Sequence, residues 1–327
     1  MLTNVQNIAV LTSGGDSPGM NACIRAVVRA GVYHNIKVFG VIDGFNGLID
    51  ANFKAMDYHS VSNIISRGGT VLGTERSERF FKKKHREIAV KNLKSKNINT
   101  IIVIGGDGSY KGAKQLNKDF GIQFIGIPGT IDNDIYGSNY SIGFDTALNN
   151  IIDSIDKIRD TASSHHRIFL VEVMGNTSGI LALHSAIASG AEDVFIPERK
   201  EDLEIFETKI RKALLAKKSS IIIVSEGDQM GGAKELYDFL KGKKLHSKVR
   251  VSILGHLQRG GNPSFKDRML ATQFGSKAID MIINNEINQF IGTSKGEIYT
   301  YELIENTTKV IPKNIDSLNL IKKLSIY

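Results

Sequence analysis

Short apolar runs rich in Ile and Val recur at residues 8–11, 38–42, 101–104, 124–127, 168–173, 221–224 and 251–254, each ending in glycine or a small polar residue. Runs of that length without polar alternation predict strands covered on both faces, as in parallel sheets. Between them, apolar positions recur at helical spacing over 21–30, 88–96, 146–161, 203–218 and 267–284, and a last helix is predicted at 315–324. Strand and helix alternate almost throughout, which predicts an α/β fold with helices on both faces of a mostly parallel sheet. With only five prolines and no low-complexity linker, any domain boundary is a crossing of the chain rather than a flexible tether.

Composition narrows the picture. The length of 327 residues suits two domains of ordinary size. Lys and Arg number 42 against 34 Asp and Glu, a net charge of +8. The basic stretches at 82–84 and 241–244 carry no interleaved aromatics, so no nucleic-acid partner is expected, and a solvated surface or a site for small anions accounts for the charge. No apolar run approaches the ~20 residues that span a bilayer, so no membrane association is expected. The single cysteine, Cys23, excludes a disulfide within the chain and reads as core. No secretory leader pattern opens the sequence, and the expected compartment is the cytoplasm.

Three loops at strand ends carry candidate chemistry. Ser13-Gly14-Gly15-Asp16-Ser17-Pro18-Gly19-Met20-Asn21 follows one strand and opens a helix carrying Arg25 and Arg29. Such glycines let backbone N–H groups approach a phosphate, although the same residues suit an ordinary strand-to-helix turn. Gly105-Gly106-Asp107-Gly108-Ser109 repeats the arrangement of strand, Gly-Gly-Asp and helix. It leaves room for a triphosphate and sets Asp107 where it can hold Mg²⁺ or simply cap the helix. Pro128-Gly129-Thr130-Ile131-Asp132-Asn133-Asp134 places two carboxylates two residues apart beside a hydroxyl, which suits proton acceptance from a substrate alcohol or a turn dense in Asx residues.

In this order the three loops resemble the ATP-dependent 6-phosphofructokinase family of bacterial type, over nearly the whole chain. The resemblance extends to Arg67-Gly68-Gly69-Thr70, Gly143-Phe144-Asp145-Thr146-Ala147, the segment from Arg159 to His165, Val171-Glu172-Val173-Met174-Gly175, Ser225-Glu226-Gly227 and the segment from Leu254 to Gly261. It implies two three-layer αβα domains with mostly parallel sheets and an active site in the cleft between them. The larger, ATP-binding domain would comprise 1–142 plus 261–312, and the smaller, fructose 6-phosphate-binding domain 143–260 plus 313–327. The implied reaction transfers the γ-phosphoryl of Mg-ATP to the 1-hydroxyl of fructose 6-phosphate, a step of glycolysis.

By the same resemblance Asp132 is the base, with Thr130 and Asp134 arranging the phosphoryl group, and Asp107 serves Mg²⁺. Gly15, Arg76, Ser77, Gly106, Asp107, Gly108 and Ser109 would bind ATP. Thr130, Ile131, Asp132, Arg167, Met174, Gly175, Asn176, Glu226, Arg250, His256, Leu257, Gln258 and Arg259 would bind fructose 6-phosphate. Arg167 and Arg250 would reach in from a neighbouring copy, so shared active sites in a homotetramer are implied. ADP or phosphoenolpyruvate would act as effector at Arg25, Arg29, Arg159, Gly190, Glu192, Lys217 and Lys218.

Arg and His at i, i+3 near a Gly-Gly turn, here His256 and Arg259, suit a sugar phosphate independently of the resemblance. Pyrophosphate-using members of the family typically carry Asp and Lys where Gly108 and Gly129 stand, so ATP is the expected donor and pyrophosphate the alternative. Two departures stand out. Asn176 replaces the arginine of the family's Met-Gly-Arg, and loss of such a charge-assisted contact costs about 1.5–3 kcal/mol. Leu215 and Ser219 replace a cation and an imidazole of the effector site. A weakly active regulatory paralogue is the second alternative. A kinase of another acceptor would lack the run from Thr130 to Asp134, and a nucleotide sensor would lose the base.

Overall fold

The computed structural model describes residues 5–200, 202–302 and 315–325. In chain order the elements are β1 (Asn7–Ser13), α1 (Met20–Tyr33), β2 (Lys37–Val41), α2 (Gly44–Ile49), β3 (Phe53–Met56), α3 (Lys83–Ser95), β4 (Thr100–Gly105), α4 (Asp107–Phe120), β5 (Gln123–Pro128) and α5 (Phe144–His165). They continue as β6 (Ile168–Val173), α6 (Ile180–Ser189), β7 (Asp193–Phe195), α7 (Leu203–Leu215), β8 (Ser220–Ser225), α8 (Ala233–Gly242), β9 (Val249–Ile253), α9 (Phe265–Ile283), β10 (Gln289–Ser294), β11 (Glu297–Tyr301) and α10 (Ile315–Leu324). Short 3₁₀ turns lie at Arg79–Phe81 and Gly255–Arg259. Among the described residues no helix is long and apolar enough to cross a membrane.

The chain forms two compact units. The first runs to Ile131, adds Ile135–Thr146, and resumes at Arg259 through β11; the second holds Asp132–Asp134, Ala147–Gln258 and α10. The junction expected at 312/313 lies outside the described residues.

The first unit is a seven-stranded sheet in the order β11-β10-β5-β4-β1-β2-β3, antiparallel only at the two edge pairs. Along β1, Ile8 and Val10 enter a core with Cys23, Val27, Phe274 and Ala278 of α1 and α9, while Ala9 and Leu11 enter a core with Phe45, Leu48, Leu93 and Leu116 of α2, α3 and α4. Alternate side chains therefore point into two apolar layers, which is why the strand reads as an unbroken apolar run. Burial pushes the Cys23 thiol far above its ordinary pKa, consistent with an inert core residue.

The second unit is a parallel sheet in the order β7-β8-β6-β9. Ile168, Leu170, Ile222, Val224 and Val249 pack one face against Phe206 and Ile210 of α7 and Leu236 and Leu240 of α8. The fold is α/β with mostly parallel sheets, as the pattern predicts.

Element limits differ from expectation where the apolar signal is weak. Helix α3 starts at Lys83, not 88, because its first turn is Lys83-Lys84-His85-Arg86. Buried Arg86 earns its place by pairing with Asp119 at 2.6 Å and donating to the carbonyls of Phe80 and Phe81. Helix α7 ends at Leu215, short of 218, since Lys217 turns left-handed at φ 50° while Lys217 and Lys218 donate to the carbonyls of Leu214 and Ala213.

The stretches by which the chain leaves and rejoins the first unit share one buried carboxylate. Asp267 accepts from Gly143 N at 2.9 Å and from Thr146 N and Oγ1 at 2.8 and 2.5 Å, and Ser264 N donates to Thr146 Oγ1 at 2.9 Å. Burial raises the Asp267 pKa against the pull of these three donors.

Candidate active site

Strands β1, β4 and β5 run parallel with Ser13 opposite Gly105 and Gly105 opposite Pro128, so the three loops leave the sheet at one edge. The carboxyl edge of such a sheet is where α/β proteins bind ligands. Ser109 Oγ donates to the Ser13 carbonyl at 3.0 Å, tying the second loop to the first. A Cβ at Gly105 would lie 2.5 Å from both of those oxygens, so this close approach requires glycine.

Asp107 opens α4, exposed, with Lys111 Nζ at 2.6 Å. Around Gly108 a Cβ would meet nothing within 4 Å, whereas at Gly129 it would press on Ile104 and Met20 at 3.0 and 3.2 Å. A side chain at 129 would therefore press Ile104 and Met20 aside by a few tenths of an ångström.

Arg76 and Ser77 reach the same corner through their segment. Thr74 Oγ1 donates to the Gly14 carbonyl at 2.8 Å, Thr12 Oγ1 to the Gly73 carbonyl at 2.7 Å, and Asn21 bonds the backbone of Arg67, Gly68 and Val71. Ser77 Oγ donates to Asn46 at 2.5 Å, and Arg76 stays exposed. Arg259 also comes to the first loop, where its Nη1 donates to the Asp16 carbonyl at 2.9 Å, a contact the sequence did not announce.

Thr130 and Ile131 belong to the first unit, and Asp132 and Asp134 to the second. Thr130 adjoins Gly106, whose added Cβ would sit 3.9 Å from the Thr130 Cβ, so the second and third loops meet. Asp132 and Asp134 are half-buried on either side of buried Asn133, which is left-handed at φ 51°.

In the second unit, Met174, Gly175 and Asn176 follow β6, and Glu226 follows its neighbour β8. Glu226 Oε1 accepts from Asn176 N at 2.9 Å, and Glu226 N donates to the Val173 carbonyl, which locks the two turns together. Asn176 is left-handed at φ 52°. Gln258 is fully buried and braces Met174 N to the Gly255 carbonyl, while His256 and Leu257 are exposed beside it. Sequence reasoning passed over Glu172, which interrupts the apolar run of β6. It accepts from Ala233 N at 2.8 Å, and burial, then the nearby carboxylates of Glu226, Glu235 and Asp228, raise its pKa.

Arg167 and Arg250 are not with this group. Arg167 precedes β6 and Arg250 lies opposite Phe169 near the start of β9, so both sit at the amino edge of the sheet whose carboxyl edge carries Met174 and Glu226. Seven residues of extended chain separate Arg167 from Met174, about 20 Å. At that amino edge Arg159 donates to the carbonyls of Ser189 and Gly190 at 2.7 and 3.1 Å and lies 3.6 Å from Glu192. Burial raises the Glu192 pKa, against the Ile221 N–H and Arg159. Lys217 and Lys218 are exposed just before β8. Arg25 and Arg29 lie on α1 of the first unit, Arg29 stacked 3.9 Å over the Tyr58 ring. Burial and the adjacent Arg29 charge lower the Arg25 pKa.

Residues 7–282 match the phosphofructokinase family model. The chain belongs to the phosphofructokinase family. It is 46% identical over 323 residues to ATP-dependent 6-phosphofructokinase 2 of Bacteroides thetaiotaomicron, covering 98% of this chain and 99% of that one. It is 47% identical over 323 residues to ATP-dependent 6-phosphofructokinase of Macrococcus caseolyticus, covering 98% and 100%. The crystal structure of Pichia pastoris phosphofructokinase in the T-state matches with a TM-score of 0.85 at 35% identity, covering 92% of this chain and 35% of that one. The present chain thus spans about a third of that phosphofructokinase. All three strand-end loops fall within the family match, as do the Met174 and Glu226 turns; α10 lies beyond it.

Proposed function

We propose that this phosphofructokinase transfers the γ-phosphoryl of ATP to the 1-hydroxyl of fructose 6-phosphate, giving fructose 1,6-bisphosphate and ADP in glycolysis. The observation that carries the reading is the register of Ser13, Gly105 and Pro128, by which two glycine loops suited to phosphates and the loop that begins at Pro128 leave one edge of the sheet. Near-full-length identity to proteins named ATP-dependent 6-phosphofructokinase supports ATP as donor, as do the glycines at 108 and 129.

In the transfer, O1 of the sugar attacks the γ-phosphorus, the bond from that phosphorus to the bridging oxygen breaks, and ADP leaves with the electron pair. Asp132 takes the hydroxyl proton. A carboxylate is a weak base, so its contribution lies in placement and in accepting the proton late. Thr130 and Asp134 orient the reacting group. The loops at Gly15 and from Gly106 to Ser109, with Arg76 and Ser77, hold the nucleotide.

The donor set fits Mg²⁺. Asp107 offers an exposed hard oxygen in the first turn of α4, a carboxylate of the kind such an ion takes beside substrate phosphates and waters. When bound, it neutralises charge on the β- and γ-phosphates.

Met174, Glu226, His256 and Arg259 bind the sugar phosphate, and Arg167 and Arg250 complete the site of a neighbouring copy. Their place at the opposite sheet edge supports that reading, and with it a shared-site homotetramer. The group of Arg159, Gly190 and Glu192 with the two lysines is the proposed effector site for ADP or phosphoenolpyruvate, with Leu215 and Ser219 weakening its anion affinity. The cytoplasm is the proposed compartment.

The test is a coupled assay of fructose 1,6-bisphosphate formation with ATP or pyrophosphate, on the wild type and on Asn176→Arg. Robust ATP-dependent turnover of the wild type is expected. Turnover with pyrophosphate alone overturns the donor, and negligible turnover rescued by Asn176→Arg makes the chain a regulatory paralogue.

A further inference from the structure

The loop that carries Asp132 and Asp134 is closed at its base and zipped along its far side. At the base, Gly129 bridges Ile142, Ile142 N donates to the Pro128 carbonyl at 2.9 Å, and Ser141 Oγ donates to the Thr130 carbonyl at 2.6 Å. Ile131 and Ile135, both buried, plug the loop on either side of the carboxylates.

The far side rests on the edge hairpin, chiefly on Thr293 of β10. Its carbonyl accepts from Asn139 N at 2.8 Å, its Oγ1 from Tyr140 N at 3.1 Å, and its N–H donates to Ser138 Oγ at 3.0 Å. Ser138 Oγ in turn donates to the Tyr140 carbonyl at 2.7 Å, which leaves the longer 3.4 Å contact for the Thr293 hydroxyl to donate back. Both hydroxyl residues are buried. Tyr299 of β11 adds a bond to the Gly137 carbonyl at 2.6 Å, and Gly137, at φ 80°, leaves no space for a side chain against the Tyr301 ring.

We propose that Thr293 is a positioning residue for phosphoryl transfer: from the hairpin it fixes the backbone of 138–140 and so the carboxylates four to six residues before it. The proposal rests on the function stated above. A base that works through placement loses about a hundredfold for a 1 Å displacement, so slack in this anchor reaches the chemical step before it reaches nucleotide binding, whose loops leave other strands.

Thr293→Val keeps shape and removes the hydroxyl; Thr293→Ser keeps the hydroxyl. The expected result for the valine variant is a fall in kcat of about tenfold or more, with KM for ATP within about twofold, and faster hydrogen exchange at the Tyr140 amide. The serine variant is expected to restore kcat. A folded valine variant with wild-type kcat overturns the proposal while leaving the kinase reading intact, as does a loss of activity that only tracks the folded fraction. Where the valine variant does not fold, Ser138→Ala is read by the same kcat-against-KM split, with unchanged kcat counting against the proposal. A wild type that releases no ADP in response to fructose 6-phosphate overturns the kinase reading and this inference together.

Discussion

Asn133 stands left-handed between the two carboxylates of the transfer loop, to which the proposed mechanism gives different parts. Asp132→Asn is expected to lower kcat about 10²–10⁴-fold while KM for fructose 6-phosphate changes little, since the amide keeps the shape and loses only the proton acceptor. A coupled assay with both substrates varied measures this, and full activity would remove Asp132 from the mechanism. Position 176 poses a different trade. Its left-handed backbone favours asparagine, so Asn176→Arg is expected to lower stability by about 1 kcal/mol in urea unfolding, whatever it does to catalysis.

Helix α9 is held at its first turn by Asp267 as well as along its apolar face. Asp267→Ala leaves two backbone N–H groups and a hydroxyl buried without their acceptor, and about 3–5 kcal/mol of stability is expected to go, read by denaturant unfolding. Acid acts elsewhere. Hydrogen bonds from Gln115 and Arg86 hold the Asp119 carboxyl below its ordinary 3.8, so the stability it contributes is present above that pH and is lost as pH falls below it. Asp267, raised by burial, has the opposite sign: the folded state binds its proton more readily, and the cost of its charge appears as pH rises through 3.8. Wild type and Asp119→Asn are therefore expected to differ in stability near neutral pH and to converge as pH falls below 3.8 in urea melts. Strands β1, β2, β4, β5, β6, β8 and β9 were legible in the sequence as apolar runs, the innermost because both faces are buried, and the three loops because each ends such a strand; β10, inside the first sheet and mostly buried, was not among the predicted strands. The first turn of α3 and the antiparallel edge strands were not, since neither shows an apolar run. Asp267 and Thr293 were illegible for another reason: their partners lie 121–124 and 153–155 residues away, beyond any local pattern.

At the scale of the whole molecule, the small parallel sheet presents two different chemistries at its two ends, Arg167 and Arg250 at one and Met174 and Glu226 at the other. If each site draws one end from each of two copies, two disabled chains can repair one another. Arg167→Ala and Glu226→Ala homomers are each expected to be nearly inactive. Refolded together at equal amounts, random pairs would contain both chains half the time, and in each such pair one site receives an intact arginine end and an intact glutamate end while the other receives neither. About a quarter of wild-type turnover would return from two proteins that have almost none. A site built within a single copy would show no such recovery; with shared sites, the span of β6 would be what lets two defective alleles complement.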